Sequence, residues 1–499
     1  MEIIIKIFAF FLLVACSARS NSEIDIIEKE NFEYAKQEIV KEELFKEIDS
    51  CYTSKEIILP EGFVIQSIFS QADSKIKTKT GQMSRSKGFH DMISYIPING
   101  SSKHGFLFVS HETTGANSIL GDGGGGTIFE VKMINNKWEV ISDYNHIDFS
   151  NVGNTDRNCG GVLAPNGMIY SCEESQPKSN SELYRYGGGH RDTSDINDLK
   201  YYQNIGYVVE IDPKQRKATK KMLQWGRFHH EDLEFLDDGK TVFLTDDYSP
   251  AVFFKFVANE KNDYSKGQLY AFSEGLDSKW LALPMDKASL IDIRNVAISL
   301  GATMFVRHEW CSRDGDNLYI AETGGNTMHW GAYIREGGVP ANHLNLFKVT
   351  DSTFIDYFGR ILKFNIKTND INVYLEGGIS EDKTKVLSNP DCIELANISD
   401  KKYLIIHEDI IGLSEGRVPK YAEEKGKYYN ELFFLDLAIK KPKIEDAKRF
   451  IIASLGAEMT GGMFTPDGST LFVNLQHPSS INTYPYNNST TFAISGFVK

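Results

Sequence analysis

Short apolar runs separated by Gly, Asn and Asp turns make up the chain from residue 57 to residue 499. The runs at residues 106–109 and 242–244 are typical, because each is too short for a helix and is enclosed by turn residues. Runs of this length with turn signals on both sides predict β-strands. The 31 Phe, 23 Tyr and 41 Gly residues also favour strands joined by many turns. Residues 56–499 are therefore predicted to form an all-β domain.

One unit recurs along this domain. Each copy begins with a polar residue, continues through an apolar segment and a turn, and ends with a strand and a second polar group. The six copies span residues 91–112, 158–174, 230–247, 307–322, 389–409 and 458–477. Repeated units of this kind predict a six-bladed β-propeller in which each copy forms the two inner strands of one blade.

The segments between the copies supply the rest of the predicted blades. Residues 207–212 and 360–364 have the apolar pattern of outer strands. Residues 176–204 and 324–358 are long and irregular, and they predict insertions between strands. Long insertions in a compact domain are usually functional lids or flexible excursions.

The N-terminal segment differs from the propeller domain. The apolar run at residues 7–14 follows Lys6, is too short to span a bilayer and is typical of a signal peptide. It ends in Leu13-Val14-Ala15-Cys16, which is similar to a bacterial lipobox. Residues 1–15 are thus predicted to be a lipoprotein signal peptide, with an ordinary secretory signal as the alternative. Residues 16–55 are predicted to be a polar tether with a short amphipathic helix, and the protein is expected to be exported and lipid-anchored at a bacterial membrane.

Charge and cysteine content narrow the possible partners. A formal net charge of -14 argues against nucleic-acid binding and fits a protein that uses carboxylates to bind cations. Apart from Cys16, five widely spaced cysteines remain, an odd number that does not indicate a disulfide scaffold. At least one thiol is therefore free for another role. A monomer is expected.

The polar residues of the six units are the candidate site. Loops that enter the innermost strands of a propeller gather at one mouth of its central channel, so these residues are expected to converge. They are Asp91, Glu112, Asn158, Cys159, Glu173, Glu174, Glu231, Arg307, Glu309, Asp391, Glu408 and Glu458. So many carboxylates cannot all stay ionised without cations, because like charges raise one another's pKa. Oxygen ligands suit calcium, whereas the single thiolate of Cys159 favours a transition metal such as iron or zinc.

Arg307 and Asn158 differ from the other candidates because they are donors among anions. Their expected partner is an anionic ligand, and a guanidinium can hold a phosphate through two parallel hydrogen bonds. Metal ions and an arginine facing a phosphate are what phosphoryl hydrolysis requires. The residues therefore predict a metal-dependent phosphatase.

Several motifs occur in order along the chain. They are Arg157-Asn158-Cys159-Gly160-Gly161, Cys172-Glu173-Glu174, Gly226-Arg227-Phe228-His229-His230-Glu231, Arg307-His308-Glu309-Trp310, and Thr465-Pro466-Asp467-Gly468 followed by Gln476-His477-Pro478. Together they resemble the PhoX family of bacterial alkaline phosphatases, over residues 63–478. The resemblance implies a six-bladed propeller whose active site joins two oxo-bridged ferric irons to calcium ions and hydrolyses phosphate monoesters.

The resemblance also implies roles for individual residues. Cys159, Glu231 and Glu309 would be iron ligands, and Glu173 and Glu174 would mainly bind calcium. Asn158 and Arg307 would hold the phosphate. Further metal ligands are expected where the local motifs are looser, at Asp91, Glu112, Asp391, Glu408 and Glu458.

The export signal departs from the family, whose members typically carry a twin-arginine signal. A lipobox without an Arg-Arg pair implies export as an unfolded chain and metal acquisition outside the cytoplasm. Two other functions remain open from the residues: a non-catalytic, calcium-stabilised surface propeller that binds a glycan or a protein, and a calcium-dependent lactonase. The lactonase has no evident need for Cys159.

Overall fold

The structure is a computed structural model, and it describes residues 43–49, 54–153, 155–183, 194–196, 198–329, 346–348, 353–356, 358–382, 384–409 and 430–497. The chain divides into Met1–Phe45 and Lys46–Lys499, and the features below belong to the second unit. The predicted signal peptide and nearly all of the predicted tether and helix lie outside the described residues. Over the part of the chain that is described, we find no helix with the length and apolar character needed to cross a membrane.

The first half of the second unit consists of strands, most of which pair with strands that are near in sequence. Strand β1 comprises Val64–Ser70. One sheet follows, made of β2 (Lys75–Lys77), β3 (Met83–Arg85), β4 (His90–Pro97), β5 (His104–His111), β6 (Gly126–Ile134), β7 (Lys137–Val140) and β8 (Tyr144–His146). The next sheet contains β9 (Asn158–Leu163), β10 (Ile169–Glu173), β11 (Val208–Asp212) and β12 (Lys217–Lys221). A third contains β13 (His230–Phe235), β14 (Thr241–Asp246), β16 (Phe254–Glu260), β17 (Asp263–Phe272) and β18 (Trp280–Ala282), while β15 (Ala251–Val252) pairs with β19 (Met304–Phe305).

The second half continues in the same way. A sheet is formed by β20 (His308–Asp314), β21 (Asn317–Glu322), β25 (Arg360–Asn365) and β26 (Ile371–Glu376). Two small sheets comprise β22 (Gly325–His329), β23 (Leu346–Lys348) and β24 (Thr353–Asp356), and β27 (Gly378–Ile379) with β28 (Val386–Leu387). The next large sheet contains β29 (Pro390–Ile398), β30 (Lys401–Glu408), β31 (Glu431–Asp436) and β32 (Lys448–Ile452). The last contains β33 (Glu458–Phe464), β34 (Thr470–Gln476) and β35 (Thr490–Ser495), and β1 completes it by pairing with β35.

Helices are short and lie between strands. They are α1 (Asn180–Leu183), α2 (Lys287–Ile291) and α3 (Ile293–Ser299), with 3-10 turns at Ile98–Gly100, Ser150–Val152, Tyr201–Asn204, Leu223–Trp225 and Ile444–Asp446. Helix α2 begins after Asp286, whose carboxylate accepts the backbone N–H of Ser289 at 3.1 Å and so caps the first turn. The fold is thus mainly β, whereas the sequence predicted an all-β domain.

The large sheets pack face to face, which buries both of their surfaces. Consecutive residues Leu107, Phe108 and Val109 are all fully buried, and such continuous apolar runs are expected for strands covered on both sides. The first and last sheets also pack together, because the ring of Trp138 contacts that of Phe472 at a centroid distance of 5.0 Å. The Trp138 indole N–H donates to Thr470 Oγ1 at 3.2 Å across the same contact. The sheets therefore close on themselves.

The first strand of each large sheet lies at the centre of this closed arrangement. Strands β4, β9, β13, β20, β29 and β33 contact one another in chain order, and β33 contacts β4. Sheets arranged radially around such a ring of inner strands form a β-propeller. The predicted outer strands at residues 207–212 and 360–364 correspond to β11 and β25, which are the third strands of their sheets. The predicted insertion at 324–358 contains β22, β23 and β24 among its described residues.

Candidate metal centre at the propeller mouth

Five of the inner strands share a local irregularity at their first residues. The pairing of first and second strands changes register between His90 and Ile93 in β4, and between His230 and Leu233 in β13. Strands β9, β20 and β29 show the same change at the same position. A β-bulge bends its strand and changes the direction of the side chains it contains. The second residue of each of these five strands lies in this irregular segment.

These second residues include half of the predicted metal ligands. They are Asp91 in β4, Cys159 in β9, Glu231 in β13, Glu309 in β20 and Asp391 in β29, and all are buried. Ligand atoms of Asp91, Cys159 and Glu231 lie within 4.8 Å of one another, and so do those of Glu231, Glu309 and Asp391. The two groups share Glu231, so the structure brings five predicted ligands from distant parts of the sequence into one cluster.

Further groups extend this cluster around the channel. Glu174 and Asp247 join Glu231 within the same 4.8 Å limit. On the other side, Asp391 lies with Cys392 and Glu458, and Glu458 lies with Asp409 and His477. Glu112 is also at this mouth, because its Oε2 accepts the Gln476 side-chain N–H at 3.0 Å and its charge raises the pKa of nearby Asp91.

A repeated backbone hydrogen bond positions the second set of polar residues. In five of the large sheets, the residue after the second strand donates its N–H to the carbonyl of the residue before the first strand. The pairs are Glu112 with Phe89, Glu174 with Arg157, Asp247 with His229, Thr323 with Arg307 and Asp409 with Asn389, at 2.8 to 3.0 Å. We call these ten residues the rim. The rim places carboxylates and cationic side chains at equivalent positions around one end of the channel.

Four rim residues have left-handed backbone conformations. The φ angles are 52° for Phe89, 43° for Arg157, 53° for Arg307 and 50° for Asn389. This region is unfavourable for residues other than glycine by about 1 kcal/mol or more, and such strain is concentrated at functional sites. The strained turns direct the chain into each inner strand at the point where its ligand residue follows.

Two arginines of the rim face carboxylates of the cluster. Arg307 Nε lies 2.7 Å from Asp247 Oδ1, and its Nη2 lies 2.9 Å from Glu309 Oε1. Arg157 Nη1 lies 3.6 Å from Glu174 Oε2. The side chains of both arginines remain partly exposed, 30% for Arg157 and 20% for Arg307. The predicted phosphate ligand Arg307 is therefore at the mouth, beside residues that could hold metal ions.

The electrostatics of the cluster are those of crowded, buried acids. Burial raises the pKa of Glu231 well above its usual value, and the charges of Glu309 and Glu174 raise it further. Burial and the charge of Glu458 do the same to the pKa of Asp391. Burial likewise raises the pKa of Asp409 to about 6. Asp247 is the exception, because the attraction of Arg307 outweighs burial and lowers its pKa.

The donor set fits metal ions. Asp91 Oδ1 and Asp409 Oδ1 are buried and have no hydrogen-bond partner among the described residues, which is costly unless a cation or water meets them. The Cys159 thiol donates to the His230 carbonyl at 3.2 Å, and burial followed by the charge of Glu231 raises its pKa well above the usual range. Metal binding would displace these protons, because carboxylates and thiolates bind metals in their ionised forms.

Two predicted metal ligands lie behind the mouth. Glu173 ends β10, and its Oε1 accepts Lys221 Nζ at 2.7 Å while its Oε2 accepts the backbone N–H of Gly206 at 2.9 Å. Glu408 ends β30 and accepts the backbone N–H groups of Ser388 at 2.8 Å and Glu431 at 3.0 Å. Side chains alternate along a strand, so the last strand residue points between sheets and the next residue points to the mouth.

The same position carries a buried acid in two other sheets. Asp246 ends β14 and makes two hydrogen bonds of 2.8 Å with Arg294. Glu322 ends β21 and accepts the backbone N–H of Val306 and Arg360 Nη1, both at 2.8 Å. We call Glu173, Asp246, Glu322 and Glu408 the corner acids. They hold the connecting loops to the sheets.

The side chain of Asn158 is also hydrogen-bonded inside the protein. Its Oδ1 accepts the backbone N–H of Gly125 at 2.6 Å and the Thr155 hydroxyl at 2.8 Å, and its Nδ2 donates to Ser171 Oγ at 3.2 Å. The residue is fully buried. The structure therefore places the amide beneath the mouth, where it supports the loop that contains Gly125.

The sequence prediction did not include several residues that the structure brings to the mouth: Arg157, Asp247, Cys392, Asp409 and His477. Asp247, Asp409 and His477 each follow directly after a second strand. The position one residue beyond each second strand was therefore the usable signal in the sequence.

The closed ring of sheets and the shared cluster of buried carboxylates with a thiol define a propeller protein with a candidate metal centre at one mouth. A family model described as alkaline phosphatase PhoX matches residues 44–479. The chain therefore belongs to the PhoX family of alkaline phosphatases, a family of metal-dependent enzymes, and is a PhoX-family phosphatase.

A similar solved structure supports this fold. The structure of Pseudomonas fluorescens PhoX in complex with vanadate, a transition state analogue, is similar with a TM-score of 0.67 and 20% sequence identity, over 91% of this chain and 98% of that chain. A sialidase of Trypanosoma rangeli in complex with 2,3-difluorosialic acid has a TM-score of 0.40 and 9% identity, over 88% of this chain and 60% of its own. No curated protein matches the chain.

Proposed function

We propose that the chain hydrolyses phosphate monoesters at a mixed iron and calcium site in the mouth of a six-bladed propeller. The observation that carries the proposal is the sharing of Glu231 by three groups of candidate ligands, which also contain Cys159, Glu309 and Glu174. The blade count rests on the ring of six inner strands, counted over the described residues, each of which begins one large sheet.

The chemistry of the donors suggests how the metals divide. Cys159 supplies a thiolate, which favours a transition metal, and it lies in one group with Asp91 and Glu231. Glu309 and Asp391 extend from the same Glu231, so these five residues would hold the irons. When bound, the metals would act as Lewis acids that polarise the phosphate ester and offset developing negative charge.

Calcium would occupy the groups built from oxygen donors. Glu174 and Asp247 form one such set with Glu231, and Asp409 and Glu458 form another beside His477. Calcium prefers several carboxylate and carbonyl oxygens in a flexible arrangement, which the rim provides. Glu112 contributes further negative charge to this side of the mouth.

Arg307 would bind the phosphate group of the substrate. Its guanidinium is partly exposed and is oriented by Asp247 and Glu309. A planar guanidinium offers pairs of N–H donors that match two phosphate oxygens. Arg307 would thus position the ester over the metal ligands and stabilise the charge that develops during hydrolysis.

The proposal is tested with purified protein, a chromogenic phosphate monoester and a chelator. We expect phosphate release that the chelator abolishes and that iron with calcium restores, and we expect elemental analysis to find both metals.

Cys159→Ser should lose iron and activity yet remain folded. Cys172→Ser is the matched control, because Cys172 is equally buried but lies outside the candidate metal groups of the described residues. Absence of chelator-sensitive release after reconstitution would reject the proposal.

We also propose that Cys16 anchors the exported chain to a bacterial membrane through lipid. The support is the lipobox-like sequence at residues 13–16. In cells, Cys16→Ser should move the protein from the membrane fraction to the soluble fraction and prevent labelling by a fatty acid. Unchanged fractionation and labelling would contradict the anchor without affecting the phosphatase proposal.

A further inference from the structure

We propose that Arg157 is a second phosphate-binding arginine, which acts together with Arg307 on the same phosphate group. The inference rests on the proposed phosphatase function and names a further residue of that site. Three observations support it: the equivalent backbone positions of the two arginines, the carboxylates that lie between them, and the direction of the neighbouring Asn158 side chain.

The two arginines occupy the same rim position in different sheets. Each precedes the first residue of an inner strand, Asn158 in one case and His308 in the other. Each carbonyl accepts a backbone N–H at 3.0 Å, from Glu174 and from Thr323 respectively. Their φ angles of 43° and 53° are also alike. Because the two backbones have equivalent geometry, both arginine side chains begin at the same depth in the mouth.

Carboxylates of one group lie between the two guanidinium groups. Arg157 faces Glu174 at 3.6 Å, and Arg307 contacts Asp247 at 2.7 Å. Ligand atoms of Glu174 and Asp247 lie within 4.8 Å of each other. A cation at this pair would compete for the oxygens that now face the arginines. The guanidinium donors would then be available to an anion in the same place.

Asn158 shows why its neighbour is the better phosphate ligand. The Asn158 amide is fully buried and bonded to Gly125, Thr155 and Ser171. The Arg157 side chain is instead 30% exposed at the mouth. A phosphate monoester has three terminal oxygens, so it can accept hydrogen bonds from two guanidinium groups at once.

The test compares Arg157→Gln and Arg157→Lys with the wild-type holoenzyme. Arg85→Gln is the control, because Arg85 is exposed in β3 and lies outside the candidate metal groups of the described residues. Four quantities are measured for each protein: kcat/KM on the monoester, the affinity for inorganic phosphate by calorimetry, the iron and calcium content, and the unfolding temperature.

We expect Arg157→Gln to lose about 10- to 100-fold in kcat/KM and in phosphate affinity, the range for one charged hydrogen-bonding group. Metal content and unfolding temperature should stay close to those of the wild type. Arg157→Lys should recover part of both losses, since it keeps the charge and loses the paired donors. Arg85→Gln should behave as the wild type.

Phosphate affinity that is unchanged in both Arg157 variants would overturn the inference. A loss of activity in Arg157→Gln that follows a loss of calcium, with normal phosphate affinity, would instead show that Arg157 only neutralises Glu174. If Arg157→Gln does not fold, Arg157→Lys decides by its phosphate affinity alone. A wild type that binds phosphate but hydrolyses no ester would reject the proposed function while leaving this binding test intact.

Discussion

The corner acids and the rim acids are neighbours in sequence but lie in opposite environments. Glu173 and Glu174 are consecutive residues, yet Glu173 contacts Lys221 at 2.7 Å whereas the pKa of Glu174 is raised by burial and by the charge of Glu112. Asp246 and Asp247, and Glu408 and Asp409, form equivalent pairs. One carboxylate of each pair is hydrogen-bonded within the fold, and the other faces the mouth.

The comparison indicates that the corner acids stabilise the fold, whereas the rim acids are available to bind metal ions. A corner acid ties a loop to its sheet through backbone N–H groups, and in the sheets of Glu173, Asp246 and Glu322 it also neutralises a buried cation. Removing one partner of such a pair leaves an uncompensated buried charge. The rim acids Glu174 and Asp409 are at least partly buried and crowded by like charges, so a bound metal ion would stabilise their ionised forms. Stability and metal binding should therefore respond to different substitutions.

The largest effect is expected at Glu231, the residue shared by three candidate metal groups. Glu231→Gln should lower kcat/KM on the order of 10³-fold, because it removes a ligand on which the charge-stabilising groups depend. Glu234→Gln is the control in the same strand, since Glu234 contacts Arg313 at 2.9 Å, away from the mouth. An equal loss of kcat/KM in Glu231→Gln and Glu234→Gln would contradict the special role of the candidate metal groups. Steady-state kinetics with elemental analysis provides the measurement.

A buried corner pair tests the opposite side of the comparison. Arg360 contacts Glu322 and also Asp356, and all three side chains are fully buried. Arg360→Met should lower the free energy of unfolding by about 3–5 kcal/mol, because two carboxylates lose their cation. Urea denaturation of metal-loaded protein measures this loss. The comparison fails if the variant is as stable as the wild type.

A finer test uses the consecutive residues Glu173 and Glu174. Glu173→Gln should lower the free energy of unfolding by about 2 kcal/mol, because it leaves buried Lys221 without its charged partner. Glu174→Gln should retain stability but lose about 10-fold or more in calcium affinity, since one charged ligand is gone. Denaturation and calcium titration of both variants test whether Glu173→Gln lowers mainly the stability and Glu174→Gln mainly the calcium affinity. The same phenotype from both variants would show that the distinction is false.

The pH dependence of metal-free protein is expected to show the smallest effect. Burial raises the pKa of Asp409 to about 6 and that of Asp232 to about 8, so the folded chain binds more protons than the unfolded chain. The free energy of unfolding should then fall, on the order of 2 kcal/mol, as the pH rises from about 5 to about 6. Urea denaturation of chelated protein at both ends of this range measures the slope. An increase with pH would contradict the raised pKa values.

The sequence predicted the propeller because each unit begins with a polar residue ahead of an apolar strand. It also predicted the residues in the irregular first segments, such as Asp91, Cys159 and Glu309, since each is a metal-binding residue type at the start of an apolar strand. The site residues at the ends of the second strands were harder to predict. Choosing Glu408 over Asp409 depends on which residue is the last to pair, and a register shift by one residue reverses side-chain direction.

Asn158 illustrates the same difficulty at the start of a strand. The motif Arg157-Asn158-Cys159 contains three polar or reactive side chains in a row, and the left-handed conformation of Arg157 decides where each of them points. Nothing in the order of the residues specifies that angle. The helices α2 and α3 were also not predicted, because they fill a connection whose apolar residues pack beside Trp225 and Leu269.

The pairing of β1 with β35 has a consequence for the timing of assembly. Residues 64–70 find their partner strand only when residues 490–495 are present, so the last sheet stays open for most of synthesis. Contacts between such distant segments form slowly, because a long loop must close first. Asp91 and Glu458 would therefore meet only after nearly all of the chain has emerged. A cell that loads this protein with metal would have to keep its ions available until then.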